Sequence, residues 1–364
     1  MNGERTAAIT IRALPASYGD ALLVSCPVPA GTWRLLMDTG PDETWPLVHA
    51  GLASIAPDAT GDRRIDLAIV SHIDHDHIGA AHLLLGDDEL GLSFGDVWFN
   101  ARRHLSRARG VAEGEALATL LRAPERELPW NVAFAGGPVS TGADGGFVEL
   151  PSTPGYPRLT LLSPTSKRLT RLATVWDKEL ERLRKGQSNT EPEIERGIRT
   201  FDLEELAARR TAKDQSPPNG SSIAMLLEHQ GASVLLAADA FPTVLGSALL
   251  NLIAHRHLEP PLTIDAFKLS HHGSRANLVP ELLKVVQAKH YIVSTDNSRF
   301  GHPNDETVAR VVLYGGEAPT LCFNYATDQN LRWEDPSLQA RYRYATVYPK
   351  QAKEGLLLTL PPRR

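Results

Sequence analysis

The stretch Ile69–Ala80 reads I-V-S-H-I-D-H-D-H-I-G-A, and no other part of the chain restricts its fold so tightly. His72, Asp74, Asp76 and His77 follow directly on an apolar run, Ile65, Leu67, Ala68, Ile69 and Val70, that has the character of a buried strand. A strand ending in such a loop delivers several metal-ligating side chains to one place. In extended backbone, alternation puts His72, Asp74 and Asp76 on one side, and a turn through His77-Ile78-Gly79-Ala80 swings His77 round to join them. Mixed imidazole and carboxylate donors at this density suit one or two divalent ions such as Zn, Mn or Fe.

Beyond this loop the pattern alternates strands and helices. Strands are expected at Ile9–Leu14, Asp20–Ser25 and Arg34–Met37, broken by glycine turns. A helix over Trp45–Ile55, with Leu47, Val48, Leu52 and Ile55 at helical spacing, crosses back to the strand at Ile65. A helix from Ala80 to Leu85, a strand at Asp96–Phe99, a helix at Val111–Arg122 and a strand at Leu159–Leu162 follow. Ile223–Leu227 and Ser233–Ala237 form a hairpin by pattern. The helix Phe241–His255, strands Ile264–Leu269 and Tyr291–Ser294, and the helix Asp305–Leu313 continue the alternation. Thr320–Phe323 and Leu356–Leu360 read as strands that close the second of two sheets.

From Lys167 to Lys213 the character changes. Leu169, Leu172, Trp176, Leu180 and Leu183 mark one face of a helix whose other faces are charged, Gln187–Glu195 is polar, and Asp202–Lys213 reads as a second, shorter helix. The expectation is an inserted, solvated helical excursion covering the site. A sharper alternative makes it a lid or partner surface, with Arg182, Arg184, Lys185, Arg209 and Arg210 as exposed basic positions.

Several segments now combine into a resemblance. The ligand loop resembles the H-x-H-x-D-H signature of the metallo-β-lactamase fold, in the H-x-D-x-D-H form found in the hydrolase domain of ComEC-type DNA-uptake proteins; His75 is additional to that pattern and is expected to point away. G-D-A-L-L-V at Gly19–Val24, M-D-T-G at Met37–Gly40, L-L-S-P-T at Leu161–Thr165, the strand end at Asp239, S-H-H-G-S at Ser270–Ser274 and G-H-P at Gly301–Pro303 are similar to segments of that family in the same order. The resemblance implies an α/β architecture, an αββα sandwich formed as a single domain over 1–364 with the insertion 167–213 within it.

It also implies roles. His72 and Asp74 would serve one metal, Asp76, His77 and His271 the other, and Asp239 would bridge both, with Ala238 where the family has glycine. Asp38 would hydrogen-bond a metal-bound histidine. His272 would face the substrate, His302 or His272 would stabilise or protonate the leaving group, and Asp76 would also orient the attacking water. The third histidine of the first site has no clear counterpart; His104, beside Arg102 and Arg103, reads better as an exposed member of a basic segment.

The expected cofactors are two divalent ions, Zn or Mn, and the expected reaction is metal-assisted hydrolysis of a phosphodiester, possessing nucleic acid or a small phosphodiester as substrate. Alternatives are hydrolysis of a small ester, lactone or phosphoester, and an effector nuclease of a bacterial conflict system activated by a protease or regulatory partner acting on 167–213. A net charge of -5 argues against an unselective grip on nucleic acid. Cys26 and Cys322 are not spaced as a metal-binding pair. No run approaches the roughly 20 apolar residues that cross a bilayer, so no membrane partner and a cytoplasmic location are expected.

Overall fold

The computed structural model describes residues 7–57, 61–105, 112–124, 126, 128–184 and 202–363. Strands β1 (Ile9–Ala13), β2 (Leu22–Val28), β3 (Gly31–Met37), β4 (Arg63–Ile69) and β5 (Leu92–Trp98) form one sheet, joined at its rim by β14 (Leu356–Leu360) in the order β14-β1-β2-β3-β4-β5. A second sheet runs β13-β12-β11-β10-β9-β8-β7-β6, from β6 (Val148–Glu149), β7 (Arg158–Ser163), β8 (Ala224–His229), β9 (Ala232–Leu236), β10 (Leu262–Lys268), β11 (Val286–Val293), β12 (Thr320–Phe323) and β13 (Ala345–Val347). Each sheet begins antiparallel and turns parallel, at β3 to β4 in one and at β9 to β10 in the other.

Alternation along the strands builds the layers. Leu35 and Met37 face the other sheet while Leu36 faces outward; in β9, Val234 and Leu236 face inward and Leu235 outward. The middle layer therefore joins Ile9, Ile11, Val24, Leu67 and Ile69 to Met225, Leu227, Ala266 and Ile292. Helices cover both outer faces: α1 (Trp45–Ala53), α2 (His75–Ile78), α3 (Ala81–Gly86), α4 (Ala112–Leu121) and α5 (Ser166–Arg184) lie with the first sheet. The second sheet is covered by α6 (Leu203–Ala208), α8 (Pro242–His255), α9 (Pro280–Leu283) and α10 (Asp305–Tyr314), while α7 (Pro217–Gly220) packs against α5. This is the αββα sandwich expected from the sequence. The β8–β9 hairpin turns at Gln230 and Gly231, both with positive φ (48° and 77°), which keeps the turn's twist in step with its strands.

Two expectations are corrected. The last strand closes the first sheet: β14 pairs antiparallel with β1, Ile9 opposite Leu360, because Leu356, Leu358 and Leu360 alternate inward and find their place in the middle layer. Nor are the described parts of α5 and α6, within 167–213, a solvated excursion. Leu169, Leu172 and the fully buried Trp176 join the outer core of the first sheet, whereas Leu203, Leu206 and Ala207 join that of the second, against α10. Leu180, Leu183, Arg182, Arg184, Lys185 and Gln187–Glu195 lie outside the residues whose side chains are described; Arg210 is exposed, and Arg209 pairs with Glu205. Trp176→Ala is accordingly expected to cost about 3–5 kcal/mol in urea unfolding, the range for emptying a packed aromatic site; a loss under about 1 kcal/mol would return α5 to the solvated surface. No helix among the described residues is long and apolar enough to cross a membrane.

Candidate metal centre

The carboxyl ends of the parallel strands meet at one edge of the sandwich, where open α/β sheets offer crevices. Asp38 follows β3, the His72–His77 loop follows β4, Asp239 follows β9, and His271 and His272 follow β10. The loop does not stay extended. Asp74 is the cap residue of α2, so Asp76 and His77 are aimed by a helical turn, and His75 projects outward to Asp42 and Glu43, its Nε2 3.4 Å from each. A Cβ at Gly19 would stand 2.1 Å from the carbonyl oxygen of Asp76, so the turn before β2 can press against the loop only as glycine.

Asp239 sits in the middle. Its Oδ1 is 3.3 Å from His77 Nε2, and its Oδ2 is 3.7 Å from both His72 Nε2 and His271 Nε2. His72 Nε2 lies 3.5 Å from Asp74 Oδ2, and His272 Nε2 lies 3.3 Å from Asp76 Oδ2, which is 4.0 Å from His77 Nε2. Donors sharing an ion at bond lengths of about 2.0–2.2 Å stand roughly 3 to 3.6 Å apart, close to these spacings.

The far side of each ring is held. His77 Nδ1 donates to Asp38 Oδ2 at 2.9 Å, His272 Nδ1 to the carbonyl oxygen of Ser294 at 2.9 Å, and His271 Nδ1 to Asn277 Oδ1 at 3.1 Å. Ser71 gives its hydroxyl proton to Asp38 and so accepts from His72 Nδ1 at 3.0 Å. Every imidazole is thereby fixed with its Nε2 lone pair turned inward. His72 Nε2, His77 Nε2, His272 Nε2 and Asp239 Oδ1 are buried with no hydrogen-bond partner. Such a converging set of acceptors sealed from water is costly by itself and fits a divalent cation.

Charge tells the same story. Burial opposes ionisation of His77, yet Asp239, Asp38 and Asp76 raise its pKa well above the ordinary histidine range. Burial likewise opposes the charge on His271, but Asp239 and Asp214 hold it up at about 10. Asp239 is pulled well below the usual carboxylate range by His77 and His271 against the cost of its burial. The carboxylates thus gather negative charge against the rings, which a bound cation would offset.

The paired histidines, of which His271 was expected at a metal and His272 toward substrate, both turn their rings into the cluster. Both occupy left-handed backbone, φ 49° and 53°, followed by Gly273 at φ 88°, so the chain folds back between them and sends the two rings to different donor groups. His272, fully buried, lies beside Asp76, Asp20 and the His77 ring; His271, with 23% of its side chain exposed, lies beside Asp239, Asp214 and Asn277. His104 packs its ring against Trp130 at 5.0 Å, and burial lowers its pKa to about 4. His302 lies at the rim, ring centroid 5.2 Å from His271, its Nδ1 buried without partner, and burial together with the charges of His271 and His272 depresses its pKa.

Three contributors escaped the sequence reading. Asp20 places Oδ1 3.4 Å from His272 Nδ1, and its Oδ2 accepts from the buried Lys268 Nζ at 2.7 Å. Asp214 lies 3.6 Å from His271 Nδ1 and accepts from Asn219 and Asn277. Asp20 lay in a segment already singled out; Lys268 and Asp214 carried no signal of their own.

No protein-family model matches this chain, and no curated protein does. Among solved structures, it is similar to the metallo-β-lactamase fold protein YhfI from Bacillus subtilis (13% identity, 96% of this chain and 98% of that one, TM-score 0.43). It is also similar to a protein described as a metal-dependent hydrolase from Parabacteroides distasonis (10% identity, 81% and 93%, TM-score 0.33) and to the E377D mutant of CmlA β-hydroxylase (12% identity, 98% and 55%, TM-score 0.35).

Proposed function

We propose that this chain is a metal-dependent hydrolase acting on phosphodiesters, using two divalent ions, Zn or Mn. The observation that carries the reading is the group of buried, unpartnered acceptors on His72, His77, His272 and Asp239, each ring held from behind. His72, Asp74 and His271 would hold one ion and Asp76, His77 and His272 the other, with Asp239 shared. Ions held there supply Lewis acidity and a water acidified to near neutral pH. Asp38, Asn277, Ser71 and Ser294 keep the imidazoles in the binding tautomer. Asp76 orients the attacking water, and His302 at the rim stabilises charge on the departing oxygen.

The ComEC-type motif set favours nucleic acid as the polymer form of such a substrate. The burial of Trp176 and Leu206 favours α5 and α6 as fixed parts of the body over a removable cover, so the protease- or partner-activated effector is the weaker reading. The purified protein is expected to contain Zn or Mn and to cleave bis(p-nitrophenyl) phosphate, with plasmid DNA and a lactone as comparison substrates. Turnover of the lactone alone would replace the phosphodiester reading with the ester one, and a protein that takes up no divalent ion would end both.

Chelation supplies a second check. A ligand at about 100 times its dissociation constant stabilises by about 2.7 kcal/mol, so stripping with EDTA should lower the melting temperature by roughly 3–4 °C, and Mn or Zn should restore it. An unchanged melting curve across that cycle would count against the donor set.

A further inference from the structure

We infer that Arg299 binds the charged group of the substrate, making phosphate-bearing anions the substrate class of this site in preference to neutral esters and lactones. The inference rests on the hydrolase reading above.

Arg299 stands on the loop between β11 and α10 that carries His302. Its guanidinium carbon lies 5.0 Å from the centre of the Tyr18 ring and 5.4 Å from that of Phe300, and its Nη1 donates to the Tyr18 hydroxyl at 2.8 Å. Tyr18 and Phe300 meet edge to face at 5.9 Å, and the Phe300 ring is 6.0 Å from that of His302. The clamp is therefore continuous with the wall of the metal centre. Its other side is the turn whose Gly19 rests on the carbonyl of Asp76.

The clamp is rigid. Asp296 N donates to the carbonyl oxygen of Ser17 at 3.0 Å, Ser17 Oγ returns a bond to Asp296 Oδ2 at 2.6 Å, and Ser17 N is held by the Tyr325 hydroxyl at 2.8 Å. The two loops that carry Arg299 and Tyr18 are thus tied to one another before any ligand arrives, which lowers the cost of binding.

The charge of Arg299 is left for something else to meet. Among the described residues its partners are two aromatic faces and one hydroxyl, none of them an anion. Burial, with Glu43 adding to it against the pull of Arg299, pushes the Tyr18 hydroxyl up to about 12, so it stays a neutral phenol and passes its own proton toward Glu43 Oε1 at 3.3 Å. A guanidinium has five N–H donors in a planar fork matched to phosphate oxygens, and one of them is used here. The need is also evident: Asp74, Asp76 and Asp239 bring three carboxylates to the centre, so an anionic substrate meets less net positive charge than an all-imidazole site would offer, and a nearby cation offsets this.

The test compares wild type with Arg299→Gln and Arg299→Lys, all Mn-loaded. Turnover of bis(p-nitrophenyl) phosphate and of the neutral p-nitrophenyl acetate is measured alongside calorimetric titration with inorganic phosphate. Arg299→Gln is expected to lower the ratio of diester to ester kcat/KM roughly 10- to 100-fold, mostly through KM, the span of a charge-assisted hydrogen bond. It should weaken phosphate binding by a similar factor, with Arg299→Lys between the two. A ratio within twofold of wild type, or equal losses on both substrates, overturns the inference. If wild type hydrolyses neither compound, the hydrolase reading fails while phosphate binding still decides for Arg299: weaker binding in Arg299→Gln sustains it, and unchanged or absent binding ends it. Should Arg299→Gln not fold, Arg299→Lys carries the comparison.

Discussion

Asp239→Ala is expected to reduce kcat/KM by at least about 1,000-fold and to strip the protein of bound metal. Its two oxygens address different partners, Oδ1 toward His77 and Oδ2 toward His72 and His271, so one truncation removes the group common to both donor sets. A thousandfold loss corresponds to about 4 kcal/mol of barrier, which is modest for a residue that assembles the whole electrostatic centre. Asp239→Asn is the sharper form, since it keeps the shape and removes only the charge. Elemental analysis and turnover should fall together in both variants. Turnover within tenfold of wild type in either one would sink the centre as drawn.

The second large effect is one of stability. Lys268→Met should destabilise the fold by about 3–5 kcal/mol, the cost of leaving a buried charge uncompensated. Lys268 and Asp20 expose 0% and 1% of their side chains, and the ammonium bonds both to Asp20 Oδ2 at 2.7 Å and to the carbonyl oxygen of Leu269 at 3.0 Å. Burial works against the Asp20 carboxylate, but Lys268 and His272 more than compensate and keep it below the usual range. A depressed carboxylate stabilises the fold above its unfolded pKa and loses that contribution as pH falls through the folded value. The deficit of Lys268→Met should therefore be full at pH 7 and shrink in strong acid. Urea unfolding at both pH values measures it, and Asp20→Leu added to Lys268→Met should recover much of the loss. A single variant as stable as wild type would show that the ion pair does little.

How much of this could be read from the chain alone follows from the range of each signal. The ligand loop, Asp239 and the paired histidines are local: dense donors at strand ends betray themselves without knowledge of the fold. The different surroundings of His271 and His272 are not local, because they depend on two consecutive left-handed residues, at φ 49° and 53°, that no residue type dictates. Asp20 and Lys268 stand 248 positions apart, and neither position in isolation predicts the other. The layers were legible from alternation, yet alternation says only that Leu356, Leu358 and Leu360 share a face, not which sheet has a rim free to take them. The burial of Trp176 was hidden for a related reason: an amphipathic stripe shows that a helix has a buried side but not what it is buried against.

The placement of β14 bears on how the chain is made. Among the described residues it follows every other strand, yet it lies beside the first, so a nascent polypeptide emerging from the ribosome keeps the backbone of β1 open on one flank until β14 has been synthesised. Completion of the first sheet is thus a late event in biosynthesis, and the second sheet, whose strands all precede β14, has the opportunity to assemble ahead of it.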